Sequence, residues 1–257
     1  YEIFTIPQGD RTLILKSGSF ELSRATINLQ SWDYFLDFNY PEVDVPIEFT
    51  DHRDGNVYLS MEIGNQTWML GNLKYLPAVH SPREESTTDP MYYVYWYWGN
   101  DVSEAKDSMY YDLFGVAYNW PAAMKACPSG WHLPTDAEWN ELQIYLGMNP
   151  SEEEVHGCQH SGNVGHKLKS TEGWEDCWNG TEHRGDNGNN SSNMNIKPSG
   201  GKGHWRGFYL PDVAVMWTST EFDSTMAWKR AISPSEPSVS RTYNTKLSGN
   251  FIRCVKD

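Results

Sequence analysis

The four cysteines are the residues of this chain whose chemistry and spacing are most directly interpretable. Cys127, Cys158, Cys177 and Cys254 form an even set, and none belongs to the Cys-x-x-Cys unit typical of zinc or redox sites. We therefore predict disulfides, and of the three possible connectivities we favour Cys127–Cys254 together with Cys158–Cys177. The alternative is four reduced, buried thiols. Because disulfides persist in oxidising compartments, this pairing predicts an exported protein.

An aromatic run forms the second candidate for function. As an extended strand it would present Tyr92, Val94, Trp96 and Trp98 on one face and Tyr93, Tyr95 and Tyr97 on the other. A half-buried strand needs one apolar face, so the second face is either covered by a loop or open as a stacking platform. We favour a second face that is covered by a loop. An open platform would nevertheless be the strongest indication in this sequence of sugar or protein binding. The candidate ligand-binding residues are Trp96, Trp98 and Trp178.

The segment from residue 175 to 195 is rich in side-chain oxygens, which are the ligands that calcium prefers. The candidate metal ligands are Asp176, Asp186, Asn187 and Asn189. Their spacing lacks the closing Glu of an EF-hand loop and matches no full calcium motif. This spacing favours the alternative, a surface loop that binds no metal. No cofactor other than calcium is considered for the chain.

No catalytic motif has a specific place in the chain. The sequence contains no GxSxG, HExxH or phosphate-binding P-loop pattern that would give a histidine such as His132 a catalytic role. Asp136 and Glu138 resemble a catalytic carboxylate pair, but in a first helical turn they more simply favour the helix dipole. The sequence therefore predicts a protein that is not an enzyme.

A helix in the middle of the chain is the clearest of the elements that must position these residues. Thr135 followed three residues later by Glu138 is a capping box, which predicts a helix start, and Gly147 indicates the end. Trp131 and His132 are expected to form a short extended segment before it. The apolar residues at roughly helical spacing, predicted to share one face, are Trp139, Leu142, Ile144, Tyr145 and Leu146.

Alternating patterns predict strands towards the N-terminus. The alternating segments are residues 12–16, 19–29, 32–38, 57–63 and 66–69. The last two should form a hairpin around Gly64-Asn65. Prolines and turn-forming residues separate a small β element, residues 1–50, from a main domain, residues 54–257.

Six segments give the chain a resemblance to a known family. They are EIGNQTWMLGNLKYLP (62–77), LFGVAYNWPAAMKACP (113–128), CPSGWHLPTDAEWNEL (127–142), HKLKSTEGW (166–174), MWTSTEF (216–222) and FIRCVKD (251–257). Together they resemble the Fibrobacter succinogenes major paralogous domain family over about residues 54–257. The LPTDAEW segment is similar in turn to the LPTEAEW segment of formylglycine-generating-enzyme-like domains. This resemblance implies an α+β, C-type-lectin-like irregular domain with short antiparallel strands, few helices and long loops, preceded by the small β element.

The functional residues of those relatives do not recur in this chain. Formylglycine-generating enzymes use two closely spaced cysteines near the C-terminal end, where this chain has Cys254 alone. Calcium-dependent C-type lectins usually carry an EPN or QPD triplet and a WND triplet. This chain has Glu236-Pro237-Ser238 and Trp178-Asn179-Gly180 instead. Neither oxidase activity nor calcium-bridged sugar binding of that kind is therefore expected.

The composition narrows the range of partners. The formal net charge is -14, so nucleic acid and anionic membranes are poor partners, and no apolar stretch is long enough for membrane insertion. The 12 Trp and 15 Tyr residues suit binding of a glycan or a surface protein. Oligomeric state is left open by the sequence.

These observations favour an exported cell-surface binding module, such as a lipoprotein domain or an adhesin. It would lie outside the cell or on the outer-membrane surface. The alternative is a structural surface scaffold without a small-molecule ligand. No signal peptide is visible at Tyr1, so the chain is expected to be a mature or trimmed form.

Overall fold

A computed structural model describes two strands near the N-terminus and most of the chain from residue 45 onwards. The described residues are 9–17, 20–29, 45–157, 161–174, 185–204, 207–209 and 211–257. The chain divides into two compact units, Tyr1–Pro46 and Ile47–Asp257, and each is described by itself.

The smaller unit contains an antiparallel pair of strands, β1 (Gly9–Ser17) and β2 (Phe20–Leu29). The pairing runs from Gly9 opposite Leu29 to Ser17 opposite Phe20, and its register shifts once between Leu15 and Lys16. The two strands predicted in this region are confirmed. The predicted third strand, residues 32–38, lies outside the described residues.

The larger unit mixes short strands with short helices. Its strands are β3 (Ile47–Thr50), β4 (Val57–Ile63), β5 (Gln66–Met69), β6 (Tyr92–Tyr93), β7 (Ala117–Tyr118), β8 (Trp131–His132), β9 (Gly201–Gly203), β10 (Gly207–Tyr209), β11 (Ala214–Glu221), β12 (Met226–Ile232), β13 (Val239–Thr245) and β14 (Val255–Lys256). Its helices are α1 (Val102–Lys106), α2 (Met109–Phe114), α3 (Trp120–Ala126), α4 (Asp136–Tyr145) and α5 (Val164–Leu168), with a 3-10 turn at Pro150–Glu152. Few helices and several short antiparallel sheets make this an α+β fold. Within the described part of the chain, the helices are all too short or too polar to cross a membrane.

The last strand of the chain lies inside the largest sheet, whose order is β3-β4-β5-β14-β8. Val255 pairs with Trp68 on one side and with His132 on the other. A second sheet has the order β11-β12-β13, and β6-β7 and β9-β10 form two smaller pairs. The C-terminal strand therefore joins segments that are far apart in sequence.

The boundary between the two units differs from the one read from the sequence. Residues 47–50 were expected in the small β element, but they form β3, which pairs with β4 from Ile47 opposite Ser60 to Thr50 opposite Val57. The division falls between Pro46 and Ile47. The turn residues at 51–56 instead connect two strands of one sheet, a role that turn composition alone does not distinguish from a domain boundary.

The predicted hairpin and helix are both confirmed. β4 and β5 pair antiparallel around Gly64, whose φ of 66° is a conformation that glycine adopts without strain. Thr135 and Glu138 form both bonds of the capping box at the start of α4. Tyr145 departs from the predicted buried face, because it ends the helix and is 63% exposed, with its ring against Gly64.

The core consists of two main clusters of buried apolar side chains. One contains the fully buried indoles of Trp68 and Trp139, which pack edge-to-face with ring centroids 4.9 Å apart. The other contains Cys254 and packs against Cys127, and a disulfide joins these two cysteines across 127 residues of sequence. This is the pairing predicted for that half of the cysteine set. Cys158 and Cys177 lie outside the described residues.

A buried ion network fastens α4 to the three-stranded sheet. Asp136 is 6% exposed, and its carboxylate lies 2.5 Å from Nη1 of Arg230 and 2.8 Å from Nη2 of Arg241. Arg230 also donates a hydrogen bond to Oδ1 of Asn140 at 2.6 Å. Asp136 therefore does more than favour the helix dipole, because its main partners come from strands β12 and β13.

Candidate functional site

The aromatic run does not form the predicted extended strand. Only Tyr92–Tyr93 is a strand, paired with β7, and the chain then turns, with the N–H of Tyr97 donating to the carbonyl of Val94 at 3.1 Å. The expectation of two alternating faces over residues 92–98 is therefore wrong. Trp96 and Trp98 are 59% and 44% exposed, while the residues at 93–95 are buried.

The backbone at Trp96 has an unusual conformation. Its φ is 59°, and every other non-glycine residue with positive φ in the described part of the chain is an asparagine. Asparagine tolerates this region, whereas a bulky residue there is an outlier that costs about 1–3 kcal/mol. Such strain is retained when the surrounding structure enforces it, and it is concentrated at functional sites.

Trp96 and Trp98 belong to a larger surface that we call the aromatic platform. Its members are Trp96, Trp98, Tyr110, Phe114 and Phe208, grouped around the buried ring of Tyr95. The rings of Trp96 and Trp98 lie 6.5 Å apart at an interplanar angle of 80°, and Trp98 lies 6.0 Å from Phe208. The guanidinium of Arg83 lies 5.7 Å from the ring of Trp98. Burial raises the pKa of Tyr95 to about 12, so its hydroxyl stays neutral at physiological pH.

Two short helices support the platform. Asp101 caps α1 by accepting from the N–H groups of Ser103 and Glu104, and Ser108 caps α2 by accepting from that of Tyr110. Helix α2 ends at Gly115, where φ is 79° and an added Cβ would lie 2.8 Å from a backbone oxygen. These caps and this close approach fix the position from which α2 presents its aromatic residues.

A groove of about 400 Å³ adjoins the platform. Its lining residues are Leu113, Phe114, Glu172, Gly173, Lys197, Pro198 and Pro211. A pocket of about 230 Å³ shares Leu113, Phe114 and Lys197 with the groove. Phe114 thus belongs to the platform, the groove and the pocket, which form one continuous surface. Trp178, the third predicted ligand-binding residue, lies outside the described residues.

The sheet β11-β12-β13 carries a second aromatic surface that the sequence analysis did not identify. The rings of Phe222 and Tyr243 stack 4.1 Å apart, and both are partly exposed at 45% and 38%. Trp228 lies beside them, covered by the guanidinium of Arg241 at 3.8 Å. The alternation of residues 226–232 and 239–245 is the signal that could have revealed these strands.

The predicted calcium ligands make hydrogen bonds within the protein. Oδ1 of Asn187 accepts from the N–H of Trp174 at 2.9 Å, and Oδ1 of Asn189 accepts from that of Ser191 at 3.0 Å. The side chain of Asp186 is 76% exposed and lies 3.6 Å from His166. Asp176 lies outside the described residues. In the portions of the chain that the structure covers, no three His, Cys, Asp or Glu side chains converge as a metal site would require.

A buried lysine stabilises the same loop. Lys169 is 1% exposed, and its ammonium donates to the carbonyl oxygens of Pro234 and Glu236, each at 3.1 Å. Its Nζ lies 3.4 Å from the carbonyl oxygen of Asp186 and 5.1 Å from the ring of Trp174. The ammonium group of Lys169 therefore donates hydrogen bonds to backbone oxygens next to the segment proposed for calcium.

His132 joins the chain end to the start of α4. Its Nδ1 lies 2.7 Å from Asp257 and its Nε2 lies 2.7 Å from Glu138. Burial by itself lowers the pKa of His132, but the hydrogen bonds to these carboxylates outweigh it and raise that pKa above 6.5. Burial raises the pKa of Glu138, and the bonds from Thr135 and His132 reverse this and lower it below 4.5. Both ring nitrogens of His132 are engaged in this structural pairing.

Comparison with known proteins identifies one family. The model of the Fibrobacter succinogenes major domain matches residues 61–256, a range that includes the aromatic platform, the groove and most of the residues that line the pocket. Searches among curated proteins and among solved structures found no match to the chain.

Proposed function

The chain belongs to the Fibrobacter succinogenes major domain family. We propose that it is an exported, noncatalytic carbohydrate-binding module of a cell surface. The observation that carries this proposal is the exposed pair Trp96 and Trp98, held by a turn in which Trp96 has positive φ. Both belong to the aromatic platform, whose Phe114 also lines a groove. We propose that the larger unit is a C-type-lectin-like domain, and that the protein is a surface lipoprotein or adhesin.

The platform has the chemistry that sugar binding requires. An indole offers an apolar face for the C–H groups of a sugar ring and an N–H for its hydroxyls. Because the rings of Trp96 and Trp98 are nearly perpendicular, they form a corner that can contact a sugar on two sides. If a ligand covers about 100 Å² of apolar surface, the gain is about 2.5 kcal/mol.

The surroundings of the platform also support a binding role. A monomeric soluble protein rarely exposes a large contiguous apolar patch without a function. Here Met109 and Leu113 are 63% and 43% exposed on α2, the helix that also carries Tyr110 and Phe114 of the platform. Export is supported by the disulfide between Cys127 and Cys254, since such bonds persist in oxidising compartments.

Binding of the whole chain to a glycan array, followed by calorimetry with each positive glycan, tests this proposal. The variant Trp96→Ala/Trp98→Ala should bind about 10- to 100-fold more weakly, the loss expected from about 2.5 kcal/mol of apolar contact. The control variant Phe222→Ala/Tyr243→Ala removes two exposed rings from the second aromatic surface and should bind like the wild type.

The outcomes separate a sugar platform from the alternatives. Equal loss in both double variants would contradict a specific platform. A wild-type chain that binds no glycan on the array would refute carbohydrate binding and leave the structural scaffold as the function.

A further inference from the structure

The pocket of about 230 Å³ beside the platform has a basic wall. Lys74, Lys197 and Arg253 line it, together with the carboxylate of Asp112, which lies 3.6 Å from Lys74. Asp112 has a 78% exposed side chain, so it offsets the charge of Lys74 at the mouth of the pocket. In the described part of the chain, no carboxylate pairs with Lys197 or Arg253.

Arg253 is buried, and no carboxylate among the described residues is its counter-ion. It is 3% exposed, and its partners are neutral: Nε donates to Oδ1 of Asn72 at 3.1 Å, and Nη1 donates to the carbonyls of Leu70 and Met194. Burial lowers the pKa of Arg253 to about 9, and no carboxylate offsets this effect. A guanidinium held this way carries a positive charge that an incoming anion can neutralise.

One nitrogen of Arg253 is available to the pocket. Nη2 donates no hydrogen bond to any residue that the structure describes. It is also not fully buried, so a ligand in the pocket can reach it. Because the other two nitrogens are fixed by backbone and amide oxygens, the guanidinium cannot turn away. The neighbouring Cys254 is held by the disulfide and by its carbonyl, which accepts a hydrogen bond from the N–H of Met69. This makes the Arg253 donor preorganised.

We propose that this basic pocket binds the carboxylate of an acidic sugar residue, whose glycan also stacks on the aromatic platform. The proposal rests on the function proposed above and assigns it a ligand class. Phe114 lines the pocket and belongs to the platform, so one glycan can reach both. The pocket is smaller than the roughly 300–1,000 Å³ of sites for drug-sized ligands, and it suits a single sugar unit.

The overall acidity of the protein is compatible with an anionic ligand. The net charge of -14 repels anions at long range, but at physiological salt the Debye length is about 8 Å. A carboxylate inside the pocket would therefore interact mainly with Lys197 and Arg253. Salt screens a partly buried charge pair less than an exposed one. The pocket can therefore attract a single carboxylate even though the acidic surface of the protein repels polyanions.

Calorimetry and thermal shift with matched sugars test the pocket. The probes are glucuronate, glucose and glucose 6-sulfate as single sugars, and oligosaccharides that end in glucuronate or in glucose. The glucuronate-ended oligosaccharide should bind at least about tenfold more tightly than the glucose-ended one, and the difference should shrink as salt is raised. Tighter binding of the sulfated sugar than of glucuronate would overturn the assignment to a carboxylate.

Lys197→Gln and Arg253→Met should each remove this preference for glucuronate, whereas Lys125→Gln, an equal charge change in α3, should leave it intact. If Arg253→Met fails to fold, as shown by loss of the near-ultraviolet circular dichroism of its tryptophans, Lys197→Gln decides the question. Equal preference for glucuronate in Lys197→Gln and wild type would overturn the proposal.

The two proposals can fail separately. If the platform variant loses glycan binding while acidic and neutral glycans bind the wild type equally, the pocket assignment falls and the sugar platform stands. If the glucuronate-ended oligosaccharide binds the wild type and Trp96→Ala/Trp98→Ala equally but binds Lys197→Gln more weakly, the pocket stands and the platform falls.

Discussion

Replacing Asp136 by asparagine should lower the stability of the larger unit strongly, because two buried arginines would lose the carboxylate between them. Asp136 is 6% exposed, and it contacts Arg230 and Arg241 at 2.5 and 2.8 Å. Asparagine keeps the size of the side chain and removes its charge. Arg241 would retain Glu154 at 2.9 Å, but Arg230 has no other carboxylate partner in the described part of the chain.

The expected loss is about 4 kcal/mol. Removing one partner of a buried ion pair costs about 3–5 kcal/mol, since it leaves an uncompensated buried charge. Burial already lowers the pKa of Arg230, and its Nε is enclosed without an acceptor, so this guanidinium depends on its remaining partners. For a domain of this size about 4 kcal/mol corresponds to a fall in melting temperature of about 8–16 °C.

Urea unfolding at pH 7, followed by tryptophan fluorescence, measures this loss. The control Glu154→Gln removes a carboxylate that is 78% exposed and contacts Arg241, and it should cost no more than about 1 kcal/mol. Adding Arg230→Met to Asp136→Asn should restore part of the stability, because the uncompensated cation is then gone. A loss below about 1 kcal/mol for Asp136→Asn, or an equal loss in the control, would refute the reasoning.

Unfolding measurements also check three other features. Trp139→Ala should cost about 3–5 kcal/mol because the ring is fully buried, and a near-neutral result would mean that the ring is not part of the core. Replacing Cys127 and Cys254 together by alanine opens a loop of 127 residues and should cost up to about 5 kcal/mol of unfolding free energy, whereas no change on replacement would contradict the bond. His132 contributes stability that is complete below its unfolded pKa of 6.5 and is lost as pH rises through its raised folded pKa. Glu138 contributes stability that is present above its unfolded pKa of 4.5 and is lost as pH falls through its lowered folded pKa. Both partners are fully charged between pH 4.5 and 6.5, so His132→Gln should cost most in that range. A pH-independent cost would refute that pairing.

Local sequence patterns predicted the elements whose bonds are local. The capping box at Thr135 joins residues three positions apart, and the β4–β5 hairpin and the β1–β2 pair each join strands that are adjacent in sequence. Propensity and periodicity describe such interactions directly. An even set of cysteines without Cys-x-x-Cys favoured disulfides, and the predicted bond between Cys127 and Cys254 is confirmed. The predicted bond between Cys158 and Cys177 lies outside the described residues.

The candidate site could not be read from the sequence because it depends on distant contacts. Alternation predicted a strand through Trp96, but the chain turns there with positive φ, a conformation that tertiary contacts enforce against the preference of the residue. Phe208 reaches the platform from more than a hundred residues away. A charged residue inside the apolar run 251–255 was the one local signal of the basic pocket, and it indicates a buried cation without showing what surrounds it.

Burial decided the roles of the charged residues. The sequence placed Asp136 in a first helical turn, where a carboxylate favours the helix dipole at any degree of exposure. Strands β12 and β13 place Arg230 and Arg241, about a hundred residues away in sequence, in contact with the Asp136 carboxylate. Asp136 is therefore part of a buried ion network, whose effect on stability is larger than that of the helix dipole. The apolar run around Arg253 indicates that this cation is buried, but it does not show the partners of the guanidinium. That no described carboxylate pairs with Arg253 is a property of the packed fold, because the free energy of a charge depends on the groups that surround it in three dimensions.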